Sequence, residues 1–175
     1  MKIRTFISIN LPEDVREEIK KIQDSLPEFE GKKTELENLH LTLKFLGEID
    51  EEMLEKVKEG LGEVKMERFE GEIDKIGFFS PKFIRIIWLH LKNCNELQKK
   101  IDDALEGLFE TEQRFMSHLT IARIKNIKNK QKFLGQLSRI KIEKRKFVVD
   151  KFYLLKSTLT AKGPVYSILG EFDLM

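Results

Sequence analysis

The sequence has 175 residues, of which 41% are hydrophobic and 35% charged, a composition typical of a folded globular protein and not of a disordered chain. It contains no apolar run near the roughly 18 residues that a membrane-spanning helix needs, and its N-terminus lacks a signal-peptide pattern. Cys94 is the only cysteine, which excludes an internal disulfide and a cysteine-rich metal site, so we expect a cytoplasmic protein with no membrane partner.

The net charge of +2 conceals one strongly basic segment, residues 125–146. This segment carries nine lysines or arginines against Glu143 alone, a net charge of +8. Such a segment suits the phosphate backbone of a nucleic acid. A solvated surface helix followed by a strand would have the same composition, so the sequence leaves both interpretations open.

The first half of the chain predicts two strands and two helices. Alternating apolar residues predict a strand over residues 3–11. A helix is expected to follow, because Pro12 suits a first helical turn and the apolar residues up to position 26 are spaced three and four apart. After a polar loop, a second strand is expected at 40–45 and a second helix over 50–64.

The second half contains the same order of strand, helix, strand and helix, with further strands before and after it. Its expected elements are strands at 68–79 and 83–91, a helix at 95–108, a strand at 118–123, a lysine-rich helix at 129–140, and strands at 143–157 and 165–172. Neither half contains a glycine-rich dinucleotide-binding turn or a phosphate-binding P-loop.

The tripeptide His-Leu-Thr occurs twice, in the segments HLTLKF and HLTIAR. Because side chains alternate along a strand, His40 and Thr42 share one face and the neighbouring leucines share the other. His118 and Thr120 share a face in the same way. Each half of the chain carries one copy, so the simplest packing is two similar lobes that place these strands side by side.

Two imidazoles and two hydroxyls facing one cleft suit in-line displacement at a phosphodiester. One histidine can take a proton from the nucleophile and the other can protonate the leaving oxygen, while the hydroxyls bind phosphate oxygens. A metal site would need a carboxylate such as Glu37 or Glu48 and has a poor ligand spacing here, and no serine nucleophile elbow is present. A single strand histidine is usually structural; the matched repeat favours catalysis.

These residues resemble the two-histidine (2H) phosphoesterase superfamily, and most closely its RNA 2′,3′-cyclic phosphodiesterases, also called 2′-5′ RNA ligases. The resemblance spans nearly the whole chain and rests on the segments RTFISI, HLTLKFLG, GFFSP, IIWL, SHLTIAR, LKS and GPVY. It implies an α+β fold with two lobes, in which two antiparallel sheets flanked by helices enclose a central cleft. It also implies that residues 1–175 form a single domain of two repeated lobes.

The resemblance further implies metal-independent hydrolysis of RNA 2′,3′-cyclic phosphate ends to 2′-phosphates. His40 would be the acid that protonates the leaving 3′-oxygen, and His118 the base that activates water. Thr42, Thr120 and Arg123 would bind the phosphate. No metal or cofactor is implied, the partners are RNA ends or cyclic-phosphate nucleotides, and the protein is expected to be a monomer.

Strand alternation makes a further set of predictions. It places Arg123 on the face opposite His118, so this arginine reaches the phosphate only if the strand ends or bends. It places Lys44 on the face of His40, either in solvent, as is usual for lysine, or against the phosphate. His90 matches no motif and is expected to be structural or exposed. Four aromatic residues could stack a base or simply pack in the core: Phe78, Phe79, Tyr153 and Tyr166.

Two alternative functions remain open from the sequence. The same groups could join RNA ends by the reverse reaction, as a 2′-5′ RNA ligase. A non-catalytic RNA-binding module could instead depend on the basic segment 125–146, although both His-x-Thr pairs are intact and favour the enzyme.

Overall fold

The computed structural model describes all of residues 1–175 and contains nine strands and four helices. In chain order these are β1 (Ile3–Asn10), α1 (Glu13–Asp24), β2 (Glu30–Lys33), β3 (His40–Ile49), α2 (Glu51–Gly62), β4 (Phe69–Phe78), β5 (Ile86–Lys92), α3 (Asn95–Ala104), β6 (His118–Asn126), α4 (Lys130–Leu137), β7 (Arg145–Val149), β8 (Lys151–Thr160) and β9 (Gly163–Asp173). None of the helices is both long and apolar enough to cross a membrane.

Two of the helices begin where the sequence supplies a cap. The side chain of Asp50 accepts a hydrogen bond from the amide of Met53 at 2.8 Å and so caps α2. Asn129 caps α4 in the same way, through the amide of Lys132. The apolar faces that the helical spacing predicts are buried, as Val15 and Ile19 of α1 illustrate.

The strands form two antiparallel sheets, as expected. The four-stranded sheet has the order β3-β1-β8-β9, and the five-stranded sheet has the order β2-β6-β5-β4-β7. Each sheet contains one His-Leu-Thr strand, β3 in the first and β6 in the second. One continuous group of buried apolar residues joins both sheets to the helices.

The two sheets are not successive halves of the chain. Strands β8 and β9, near the C-terminus, complete the sheet that contains β3, while β2, from the N-terminal half, borders β6. Helix α1 also crosses over. Its Gln23 donates hydrogen bonds to the carbonyl oxygens of Ile121 in β6 and of Thr34, at 2.9 and 2.8 Å. The second motif strand is therefore supported by a helix from the first half of the chain.

Two predicted elements were wrong in detail. The polar stretch expected to be a loop contains the exposed edge strand β2, which the sequence hides because none of its residues is buried. The single long strand expected over 143–157 is two strands, β7 and β8, separated at Asp150. They belong to different sheets, and the continuous apolar pattern on both sides of Asp150 conceals the change of sheet.

Candidate active site

The two motif strands lie next to each other, although they belong to different sheets. His40, Thr42, His118 and Thr120 are all partly buried, and the leucine after each histidine is fully buried behind it. The charge on His118 is close enough to act on the titration of His40. The structure thus brings the two predicted motifs together where the two sheets meet, and we call the space between them the cleft.

Both imidazoles are held by the same kind of hydrogen bond to the backbone. The Nδ1 atom of His40 lies 2.7 Å from the carbonyl oxygen of Asn38, and Nδ1 of His118 lies 2.9 Å from that of Met116. Because a carbonyl oxygen only accepts hydrogen bonds, Nδ1 carries a proton in each ring. The Nε2 atoms are therefore the ones that can gain and lose a proton in the cleft. Sequence patterns could not reveal these hydrogen bonds, since their acceptors are backbone atoms.

Thr42 lies directly beside the reactive nitrogen of its own histidine. Its Oγ1 atom is 2.9 Å from Nε2 of His40. When His40 is neutral the hydroxyl donates to Nε2, and when His40 is protonated the hydroxyl accepts and can turn its own proton towards a ligand.

Each motif strand contains a β-bulge one residue beyond its threonine. In the pairing of β1 with β3, Ile7 faces Lys44 and Ser8 faces Thr42, so Leu43 is the extra residue. In the pairing of β5 with β6, Ile121 is the extra residue in the same way. A bulge reverses the alternation of side chains beyond it, so strand parity fails after the third residue of each motif.

The bulge in β6 turns Arg123 towards the cleft. Arg123 is exposed while Ala122 and Ile124 on either side of it are buried. Its charge acts on the titration of both His40 and Tyr166, which lie in the other sheet. The bend that Arg123 needs in order to share the face of His118 is therefore present.

The bulge in β3 has the opposite effect on Lys44, which the sequence placed in the cleft. Lys44 is buried on the far side, where Nζ lies 2.5 Å from a carboxylate oxygen of Asp102 in α3 and 2.7 Å from the carbonyl oxygen of Glu110. Both expectations for Lys44, exposure to solvent and contact with the phosphate, were wrong. The lysine and Asp102 form a buried ion pair behind the motif strand.

The environment of His40 favours its neutral form. Burial lowers the pKa of His40 below its ordinary value, and the charges of Arg123 and His118 lower it further, while the hydrogen bond to Asn38 acts in the opposite direction. Arg123 therefore repels a charged His40, and His118 does so whenever it is itself protonated. An anion bound between them would compensate this repulsion, so the electrostatics suit a phosphate ligand.

Aromatic rings surround both imidazoles. The ring of Tyr166 meets His40 edge-on at a centroid distance of 5.2 Å, and Phe6 lies 5.0 Å from the same imidazole. Phe79 meets His118 edge-on at 5.0 Å and remains 53% exposed. Of the aromatic residues considered for base stacking, Phe79 and Tyr166 are the two that contact the histidines.

His90 lies directly across from His118 in the pairing of β5 with β6, so it shares the cleft face. Its Nδ1 atom is 2.6 Å from a carboxylate oxygen of Asp74. This is the hydrogen-bonded state expected for a structural histidine, although the sequence did not predict its place next to His118. The structure contains no group of three or more histidine, cysteine, aspartate or glutamate side chains placed to hold a metal ion.

Comparison with known proteins matches residues 9–88 and 90–166 to the family described as LigT like phosphoesterase. An RNA 2′,3′-cyclic phosphodiesterase of Methanocaldococcus jannaschii is 39% identical over 97% of this chain and 100% of its own length. A protein of the same name from Methanothermobacter thermautotrophicus is 32% identical over 99% of this chain and 100% of its own length.

Solved structures share the fold over the whole chain. A crystal structure of a Thermus thermophilus protein is 27% identical, with a TM-score of 0.80 over 98% of both chains. Escherichia coli LigT complexed with 3′-AMP is 23% identical, with a TM-score of 0.81 over 100% of this chain and 99% of its own. These likenesses confirm the predicted α+β fold of two antiparallel sheets flanked by helices.

Proposed function

The chain belongs to the LigT-like phosphoesterase family, and on that premise we propose that it hydrolyses the 2′,3′-cyclic phosphate ends of RNA to 2′-phosphates. One observation carries the proposal: two His-x-Thr motifs lie on adjacent strands, each with its imidazole held through Nδ1 and free to exchange a proton at Nε2. The full-length relatives named RNA 2′,3′-cyclic phosphodiesterase support the same activity and substrate class.

His118 acts as the base and His40 as the acid in the proposed reaction, an assignment that follows the family resemblance. Nε2 of His118 takes a proton from water, whose oxygen forms a bond to phosphorus. The bond between phosphorus and the 3′-oxygen breaks, and Nε2 of His40 gives its proton to that oxygen. The product has a free 3′-hydroxyl and a 2′-phosphate, and one proton has passed from His40 to the product while another has passed to His118.

Thr42, Thr120 and Arg123 bind the non-bridging phosphate oxygens in this proposal. The hydroxyl of Thr42 is the best supported, because protonation of His40 at Nε2 frees its proton for the phosphate. Arg123 adds a full positive charge on the same side as His118 and Thr120. Donors placed where negative charge develops stabilise the transition state, and each is worth roughly 10²–10³-fold in similar sites.

The proposal is tested by replacing each motif histidine with alanine. Acid–base catalysis by one positioned group contributes about 10²–10⁴-fold, so His40→Ala and His118→Ala should each lower kcat for a nucleoside 2′,3′-cyclic phosphate by at least about 100-fold. The product should be the nucleoside 2′-phosphate, identified by chromatography against the 2′ and 3′ standards.

His90→Gln is the matched control, because glutamine can still donate a hydrogen bond to Asp74 while the third imidazole is lost. This variant should keep most of the activity. Circular dichroism should show the same fold for all three variants. Activity that survives the loss of His40 or His118 would overturn the proposed roles, and inhibition by a chelator would overturn metal independence.

The protein is also proposed to act as a monomer in the cytoplasm. One chain supplies both motifs to the cleft, so a second copy is not required to complete it. The lone Cys94 is a buried free thiol, and burial raises its pKa to about 12, so it is protected from oxidation.

A further inference from the structure

A shallow, strongly basic groove lies at the far end of the second motif strand. Residues from the loop before β5 and from the end of β6 line it, together with the first residue of α4. Its cavity volume of about 160 Å³ is smaller than the 300–1,000 Å³ typical of small-molecule pockets. The shape therefore suits an extended chain lying across a surface, not an enclosed small ligand.

The groove has an uncompensated positive charge. Lys82, Arg85, Lys125 and Lys130 line it, and no acidic residue does. None of these four side chains forms an ion pair; Arg85 and Lys130 donate instead to backbone carbonyl oxygens, which anchors them without neutralising them. By comparison, the larger hollow beside α1 and α4 contains two glutamates among its basic residues.

The cations of the basic segment 125–146 fall into two groups, those that form ion pairs within the protein and those that do not. At its far end Arg145 is held by Asp14 and Glu18, and Lys146 approaches Glu72 at 3.9 Å. Those two charges are committed within the protein. The cations at the start of the segment are free to bind an external polyanion.

The groove lies further along the same strand as the second motif, just beyond Arg123. Beyond the bulge, Lys125 shares the face of Arg123 because it lies two residues further along the same strand, about 7 Å away. Ile86 pairs with Arg123, and the loop that carries Lys82 and Arg85 immediately precedes it. The distance of about 7 Å between Arg123 and Lys125 is comparable to the length of one extended nucleotide. An RNA strand whose cyclic-phosphate end lies at the histidines would therefore place its next phosphates in the groove.

We propose that this groove binds the single-stranded RNA on the 5′ side of the cyclic phosphate, with Lys82 and Lys125 contacting its phosphates. The inference rests on the proposed function and makes it more specific, because the substrate is then an oligonucleotide end and not a free cyclic nucleotide. Phe83, which is 70% exposed between these cations, offers a ring on which one base stacks.

The test compares two substrates, a nucleoside 2′,3′-cyclic phosphate and a hexanucleotide with the same cyclic end. Two lost phosphate contacts on a single strand lower affinity by roughly 10- to 30-fold near 0.1 M salt. The variant Lys82→Ala/Lys125→Ala should therefore lower kcat/KM for the hexanucleotide by that factor, mainly through KM. Turnover of the mononucleotide should be unchanged, and the slope of log(kcat/KM) against log[salt] should become about 1.4 units shallower.

Lys141→Ala/Lys144→Ala is the matched control, because it removes the same charge from exposed, unpaired lysines of the same basic segment. It should leave the preference for the hexanucleotide intact. An equal loss in the control variant would show only a nonspecific charge effect. An equal loss for both substrates would place Lys82 and Lys125 in the catalytic cleft. Either result would overturn the proposal that the groove binds RNA. Phe83→Leu should separately lower kcat/KM for the hexanucleotide by about fivefold or more.

Failure of the proposed function would be recognised independently. If wild-type protein does not hydrolyse the cyclic mononucleotide, binding of a hexanucleotide with a plain 3′-hydroxyl, measured by fluorescence anisotropy, still tests the groove. Weaker, less salt-dependent binding by Lys82→Ala/Lys125→Ala, but not by Lys141→Ala/Lys144→Ala, would support the RNA path. Equal binding by all three proteins would overturn it.

Discussion

The backbone hydrogen bond at Nδ1 determines what each histidine can do. Because Nδ1 is protonated in both rings, the two protonation states of each imidazole differ only at Nε2. Burial, the charge of Arg123 and, when it is protonated, the charge of His118 lower the pKa of His40, so this imidazole is mainly neutral at pH 7 before a ligand binds. In the proposed reaction, a bound phosphate would supply the negative charge that allows His40 to carry the proton that it donates.

This dependence predicts the titration of His40. Its imidazole signals in an NMR titration should have a midpoint below the ordinary value for histidine in the free protein, and saturation with inorganic phosphate should move the midpoint upward. Arg123→Gln should also move it upward, because one repelling charge is gone, while it lowers catalytic activity. A midpoint that stays the same in Arg123→Gln would show that Arg123 does not face His40.

The motif residues were predictable from the sequence because their types and spacing repeat. The orientation of the residues after them was not. A bulge depends on one extra residue in the pairing of two strands, and neither Leu43 nor Ile121 differs in type from any other buried strand residue. Arg123 was therefore named but placed on the wrong face, and Lys44 was assigned to the cleft instead of the interior.

At the scale of the elements, the buried pair of Lys44 and Asp102 fixes β3 against α3. Gln98 and the amide of Glu112 also donate to the Asp102 carboxylate, so both of its oxygens accept hydrogen bonds. Burial by itself would raise the pKa of Asp102, but the hydrogen bonds from Lys44, Glu112 and Gln98 outweigh it and keep this pKa below its usual range. The pair aligns the motif strand from behind.

Removal of Lys44 should be costly because it leaves a buried carboxylate without its cation. Lys44→Met should lower the free energy of unfolding by about 3–5 kcal/mol. Lys56→Met, which removes an exposed lysine paired with Glu52, should have a much smaller effect, because solvent screens that pair. Urea titrations followed by circular dichroism measure both values, and equal effects would show that the buried pair contributes nothing beyond a surface contact.

The lowered pKa of Asp102 also predicts how stability depends on pH. Its ionised form is favoured by folding, so the stabilisation is complete above the unfolded value of about 4 and is lost as the pH falls through the lower folded value. The free energy of unfolding should therefore decrease more steeply below pH 4 in the wild type than in Asp102→Asn. Urea titrations at a series of pH values check this, and parallel curves would contradict it.

Apolar periodicity predicted the positions of most elements. It did not predict which strands pair with one another. Helices α1 to α4 lie where spacing and capping residues such as Asp50 predicted them. The edge strand β2 was missed because an exposed strand has no apolar alternation. The boundary between β7 and β8 was missed because it is a change of sheet, which depends on the neighbours that each segment finds in the folded molecule.

At the scale of the whole molecule, each sheet contains strands from both halves of the chain. The sheet that contains β3 is completed by β8 and β9, and β2 closes the edge of the sheet that contains β6. We propose on this ground that residues 1–175 form a single domain of two repeated lobes. Neither sheet can be assembled from the first or the second half of the chain alone.

This organisation predicts one cooperative unfolding transition. Trp88 is the only tryptophan and is buried in the five-stranded sheet, so its fluorescence follows that sheet. Circular dichroism follows both sheets and the helices. The two signals should change at the same urea concentration, and loss of the Trp88 signal before the circular dichroism signal would show that the sheets unfold separately.

The positions just beyond the matching bulges also make the two copies of the motif unequal. A perfect internal duplication would accept a phosphate equally well in two orientations related by a half turn. The fifth residue after each motif histidine lies beyond the bulge, and it is Arg123 in one copy and the 70% exposed Phe45 in the other. The two copies therefore differ here in charge and polarity, a guanidinium in one and an exposed phenyl ring in the other, so a phosphate bound between the motifs would not meet equivalent surroundings on its two sides.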